Sequence, residues 1–146
     1  MTPVTFLLLV LSVTVVAAGA EWVVTRQRRR KLRALANRWQ MHYTPGDRFR
    51  LAPRVAGRLP AIGGAAVSVK DLIYGIEADQ YRYVFSAEYT VGTVRSQRRL
   101  RSVCTFAEPR DRRTDPADFN LLVAPDTMTL VEQYEHVHQQ VAAARE

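Results

Sequence analysis

The apolar positions along the chain follow three regimes. Residues 3–24 read PVTFLLLVLSVTVVAAGAEWVV, apolar almost without interruption, with Glu21 the only charge. As a helix these 22 residues span about 33 Å, enough to cross a hydrocarbon core of about 30 Å. Ser12 and Thr14 do not forbid the span, because a helical hydroxyl can return its hydrogen bond to the preceding turn. Trp22 suits the interface. A second regime follows, in which Leu32, Leu35, Ala36 and Trp39 recur at helical spacing among basic residues. That spacing predicts an amphipathic continuation of the helix to about residue 41.

From Leu72 the period changes to two. Leu72, Tyr74 and Ile76 alternate with Ile73, Gly75 and Glu77, and Ala78-Asp79-Gln80 reads as a tight turn. Tyr81, Tyr83, Phe85, Ala87, Tyr89 and Val91 then share one face, with Arg82, Val84, Ser86, Glu88 and Thr90 on the other. This is the pattern of a strand buried on one side. After a turn from Gly92 to Gln97, Leu100, Ser102, Cys104 and Phe106 alternate with Arg99, Arg101, Val103 and Thr105. The three runs predict an antiparallel meander. A charged loop over residues 108–118 precedes a possible fourth strand at residues 119–123. Asp126 or Thr127 offers an N-cap for a closing helix, striped by Met128, Val131, Tyr134, Val137 or His138, and Val141.

The predicted fold class is α+β: an N-terminal transmembrane helix, then a small antiparallel β-meander with a C-terminal helix packed on it. Residues 43–64 carry Pro45-Gly46, Pro53, Gly57, Pro60 and Gly63-Gly64, and are read as loop-rich with one short helical turn at most. The organisation is therefore an anchor over residues 1–24, a basic juxtamembrane helix over 25–41, a linker over 42–64 and an α+β domain over 65–146.

Charge orients this arrangement. The 146 residues hold 21 Lys+Arg against 14 Asp+Glu, a net charge of +7 and a pI of about 10.2. Seven of the basic residues form a collar just after the apolar run: Arg26, Arg28, Arg29, Arg30, Lys31, Arg33 and Arg38. Beyond residue 38 the chain holds 14 basic and 13 acidic residues, so the domain is nearly neutral. A basic cluster beside a span stays on the cytoplasmic side, which predicts an external N-terminus and a cytoplasmic domain at the cell membrane. Ala18-Gly19-Ala20 has the form of a signal-peptidase site, but no Lys or Arg precedes the run as a secretory signal requires. A retained anchor is the better reading. The collar also suits anionic headgroups, at about 1 kcal/mol per basic residue close to the surface. Within the domain, residues 39–113 carry net +6 and residues 114–146 net −5, an attraction that favours closing the last helix onto the sheet.

Chemistry-bearing residues are few. Cys104 is the single cysteine and sits inside a predicted strand, where a buried structural thiol is expected. His136 and His138 stand two apart on a helix and cannot share a metal, and Glu132 with His136 forms an ordinary i,i+4 surface pair. His42 stands alone. The chain contains no HExxH, P-loop or dinucleotide fingerprint and no nucleophile elbow. No catalytic residue, metal ligand or cofactor is assigned. Tyr81, Tyr83, Phe85 and Tyr89 beside Arg98, Arg99 and Arg101 could be drawn as a stacking platform for single-stranded nucleic acid. The near-neutral domain charge favours packing under the C-terminal helix instead.

Trp39-Gln40-Met41-His42-Tyr43-Thr44-Pro45-Gly46-Asp47-Arg48-Phe49, Leu72-Ile73-Tyr74-Gly75, Tyr83-Val84-Phe85 and Tyr89-Thr90-Val91-Gly92 together resemble a group of uncharacterised bacterial membrane-anchored proteins. That resemblance covers residues 25–124. It implies a short hydrophobic anchor and a Tyr/Phe-rich meander, and it carries no activity to transfer. The expected function is that of a non-enzymatic, single-pass membrane protein whose domain binds a partner protein or a membrane component. The alternative is an anionic-lipid surface module using the collar and the arginines of residues 48–58, and an enzyme ranks third.

Overall fold

A computed structural model of the chain describes residues 2–60, 66–93, 95–110 and 120–143. Helix α1, Pro3–Arg38, carries the apolar run and the collar. The chain divides into two compact units, Met1–Lys31 and Leu32–Glu146. In the first, the apolar side chains from Val4 to Val24 are exposed. Ser12 and Thr14 donate to the carbonyls of Leu9 and Val10, each at 2.8 Å, so the run carries its polar groups satisfied.

The second unit is an α+β domain. Strand β1 (His42–Thr44) leads to the short helix α2 (Leu51–Val55) and one 3-10 turn (Ala56–Arg58). Strands β2 (Ser68–Glu77), β3 (Gln80–Thr93), β4 (Ser96–Pro109) and β5 (Leu122–Val123) follow, then helix α3 (Leu130–Ala143). The sheet order is β1-β2-β3-β4-β5 and every neighbour is antiparallel. Residues 42–60, read from the sequence as linker, thus supply an edge strand and a core helix. The Gly63-Gly64 pair, the loop at residues 111–118 and Phe119 lie outside the described residues.

Both faces of the sheet are covered. Tyr83, Phe85, Ala87, Tyr89, Cys104 and Phe106 pack with Val69 and Leu72 against Leu51, Val55 and Leu59 of the α2 segment. On the opposite face Ile73, Val84 and Val103 pack against Leu32, Leu35 and Ala36 of α1 and Tyr134 and Val137 of α3. Two expectations are corrected here. The aromatic stripe lies under α2, and α3 covers the other face. Strand β3 is buried on both sides from Arg82 to Tyr89, because its polar alternates Arg82 and Glu88 are neutralised by partners and so tolerate burial.

The resemblance motif explains how α2 is held. Asp47 accepts from the amides of Leu51 (2.7 Å) and Ala52 (2.8 Å), satisfying the first donors of a helix too short to form alone. Phe49 meets Tyr74 and Tyr83 edge-on, with ring centroids 4.8 and 5.6 Å away. Upstream, the Tyr43 hydroxyl donates to Asp71 Oδ1 (2.7 Å) and the Pro45 carbonyl accepts from the Asp71 amide (3.1 Å). Asp71 has φ 51 at a bulge between Lys70 and Ile73, and its carbonyl accepts from Tyr134 Oη at 2.6 Å. One strained residue therefore joins β1, β2 and α3. Helix α3 starts later than expected. Thr129 and Glu132 form a capping box, in which the Thr129 amide donates to Glu132 (2.8 Å) and the Glu132 amide to Thr129 Oγ1 (3.5 Å).

The β3–β4 hairpin depends on Gly92. Its φ is +110, and a Cβ there would lie 2.0 Å from the Ser96 carbonyl oxygen, a backbone atom. Gly92→Ala is expected to destabilise the domain by about 1–2 kcal/mol through the forced backbone alone. Chemical denaturation of the full chain measures this, and Thr93→Ala on the same hairpin serves as the control that should change little.

Candidate functional site

The seven collar residues divide between the two units. Arg26, Arg29, Arg30 and Lys31 are exposed in the first unit, Arg28 is half-buried there, and Arg26 lies 4.8 Å from the Trp22 ring centroid. Arg33 and Arg38 belong to the domain. Arg33 lies 5.8 Å from the Tyr43 ring, and Arg38 pairs with Glu135 of α3. The stripe Leu32, Leu35 and Ala36 faces the sheet, so the amphipathic end of α1 is spent on the domain core.

The drawn stacking platform separates into two layers. Register places Arg99 and Arg101 on the face of Glu88 and Thr90, opposite the buried Tyr83, Phe85 and Tyr89. Only Arg98 shares the aromatic face, exposed beyond its end. Cys104 is fully buried, and burial pushes its thiol up to about 12, which suppresses thiolate chemistry. His42 meets Tyr74 at 5.4 Å and His136 bonds Gln140. Among the described residues no three of His, Cys, Asp and Glu group to hold a metal.

Two charged clusters that composition had hidden lie on the α3 face. At the β2–β3 turn, the buried Arg82 donates to Glu77 and to the His138 carbonyl (3.0 Å), while the His138 ring stacks on Trp39 at 4.0 Å. Burial, then the charge of Arg82, hold the His138 imidazole below its ordinary range.

The second cluster surrounds Glu88 on the other half of the same face. Lys70 Nζ (2.9 Å) and Arg99 Nη2 (2.8 Å) bond its Oε2, while Arg101 bonds Oε1 through Nε (3.2 Å) and Nη2. Their side chains are 43%, 67% and 38% exposed against 8% for Glu88, so the cations stand between the carboxylate and solvent. Three positive charges meet one negative charge. Burial pushes the Glu88 carboxyl up, but hydrogen bonds and charge from Arg101 and Lys70 outweigh it and bring the group down to about 2. The unfolded carboxyl titrates near 4.5, so its stabilisation is complete above that pH and is lost as pH falls toward about 2. Glu88→Gln is accordingly expected to be less stable at neutral pH and to show a shallower acid loss over that window. Thermal unfolding across pH measures both. Sequence inspection missed this cluster because its members are 31 residues apart along the chain (Lys70 to Arg101); only strand register joins them.

Compared with protein-family models, curated proteins and solved structures, the chain matches none. Its function has to be read from its own geometry.

Proposed function

We propose that this is a single-pass membrane protein whose α+β domain works at the cytoplasmic surface as a non-enzymatic binding module. The observation that carries this reading is the exposed apolar run of α1. Its most apolar 18-residue window has a mean hydropathy of 2.2 and none of it is buried. In water such a surface is a large unpaid hydrophobic exposure, and a bilayer removes it. The collar supports a cytoplasmic domain by the positive-inside rule. The resemblance to bacterial membrane-anchored proteins supports the cell membrane as the location. A binding role fits a domain whose cysteine and histidines are sealed, stacked or dispersed. The alternative, an anionic-lipid surface module, rests on the collar; of the residue 48–58 arginines that would join it, Arg48 donates to Tyr74 Oη (3.0 Å) and Arg54 pairs with Glu108 (2.7 Å).

The test places a new thiol on exposed Gln139. Cys104 stays, since its buried thiol does not compete. In Gln139→Cys, a membrane-impermeant maleimide should label only after the inner membrane is opened, and the chain should resist carbonate extraction. Labelling of intact cells overturns the orientation. Release by carbonate overturns the span.

A further inference from the structure

We propose that Lys70, Arg99 and Arg101 form a binding site for a phosphate monoester, held ready by Glu88. The argument begins with the charge balance of the cluster. One carboxylate gathers three cations and leaves two positive charges uncompensated. A phosphate monoester carries about −1.5 to −2 at neutral pH and offers three terminal oxygens. Both numbers match the cluster: two surplus charges and three cationic heads.

Geometry adds the second step. Glu88 is nearly closed to solvent, whereas each cation keeps a large exposed share, so an anion arriving from solvent meets the cations first. Glu88 engages one or two donors of each partner, and among the described residues the other donors of these heads bond no further acceptor. Two of the heads are guanidinium forks, suited to paired hydrogen bonds with phosphate oxygens. Without Glu88 the three cations would repel one another and splay. With it they are held from β2 and β4, on either side of Glu88 on β3, so less side-chain entropy remains to be lost on binding.

Position on the sheet excludes a nucleic-acid strand as the natural ligand. The aromatic side chains that would stack bases are buried on the opposite face, and base stacking is what sustains single-strand binding. A compact monoester needs no such platform. It could be a lipid headgroup or a soluble phosphate, and the experiment separates these sources. The inference stands on the domain's own residues and does not depend on the anchor.

The full chain, in nanodiscs of phosphatidylcholine, is titrated with inorganic phosphate against chloride at constant ionic strength. In parallel, nanodiscs are doped with phosphatidic acid, a monoester, or with phosphatidylglycerol, a diester. The readout is the side-chain Nε–H resonances of Arg99 and Arg101. Saturable shifts with phosphate, with phosphatidic acid, or with both support the site, and the responding arm names the source. Arg99→Gln/Arg101→Gln should weaken binding at least tenfold, followed through the resonances of the amides around Glu88, and Arg29→Gln/Arg30→Gln in the collar should leave it within twofold. Should the double variant fail to fold, Lys70→Ala takes its place, with an expected loss of at least threefold. Absence of saturation in both arms overturns the proposal. So does an equal response to phosphatidylglycerol, or an equal loss in the collar variant, since either would mark unspecific attraction. Carbonate extraction is unaffected by all of these outcomes, so failure here and failure of membrane tethering are read separately.

Discussion

Arg82→Ala is expected to cost the domain about 3 kcal/mol, at the lower end of what breaking a buried ion pair costs. Among the described residues Arg82 is one of the largest fully buried side chains, 1% exposed, beside the β2–β3 turn on the sheet face of Val84. It donates to Glu77 on β2 and to the His138 carbonyl on α3, so one guanidinium ties the closing helix to the sheet. Truncation removes both bonds, empties the volume of a long side chain and leaves Glu77 without this cation. Glu77 is one-third exposed and recovers some hydration, which keeps the cost near 3 rather than 5 kcal/mol. Arg82→Met separates the parts: it refills the volume without the bonds, and should recover part of the loss. Urea unfolding gives the magnitudes. Hydrogen exchange should show α3 amides opening earlier in Arg82→Ala. A second readout concerns the histidine. Removing a neighbouring cation raises an imidazole pKa, so His138 should titrate higher in the variant. An unchanged His138 titration would contradict the described junction.

This junction shows how far patterning along the chain can reach. The α+β class, the meander and the closing helix were legible because alternation and helical spacing are local signals, strong from Leu72 to Phe106 and from Val131 to Val141. The hidden face was not. Arg82 and Glu88 look like the solvent side of a strand, and only pairing, with Glu77 across the β2–β3 turn and with Lys70, Arg99 and Arg101 from neighbouring strands, makes their burial tolerable. The same holds for residues 42–60. Their prolines and glycines read as loop, yet the Asp47 cap and the Phe49 contacts fold five residues into a core helix. The start of α3 was available to inspection: Thr129-x-x-Glu132 is a capping-box pattern, and it outranks the earlier Asp126 and Thr127 because it satisfies two donors reciprocally. For the candidate site, the basic residues were visible and their grouping was not, since strand register alone decides which of Arg98, Arg99 and Arg101 share a face.

The other large effect concerns the proposed anchor. Leu11→Arg/Val13→Arg is expected to abolish membrane insertion. Both positions lie near the middle of residues 3–24, and both side chains are exposed in the first unit. An arginine at the centre of a spanning helix costs about 2.5–3.5 kcal/mol on the insertion scale, so two cost about 5–7 kcal/mol. That is enough to offset a span whose favourable residues contribute only about 0.3–0.6 kcal/mol each. Neither position contributes to the cores around Phe85 and Val84, so the domain should stay folded while its location changes. The measurement is the carbonate-resistant fraction of the full chain, with the exchange protection of β3 and β4 as the folding control. Removing three of the seven collar charges with Arg28→Gln, Arg29→Gln and Arg30→Gln should do something different: insertion persists, but the bias that sets orientation weakens, and Gln139→Cys becomes labelled in a minor part of the intact-cell population. Retention of the double-arginine chain in carbonate-washed membranes would overturn the span, because two central arginines cost about as much as the apolar run gains on insertion. A soluble, folded domain released by two substitutions far from its core would show that membrane location resides in residues 3–24 alone.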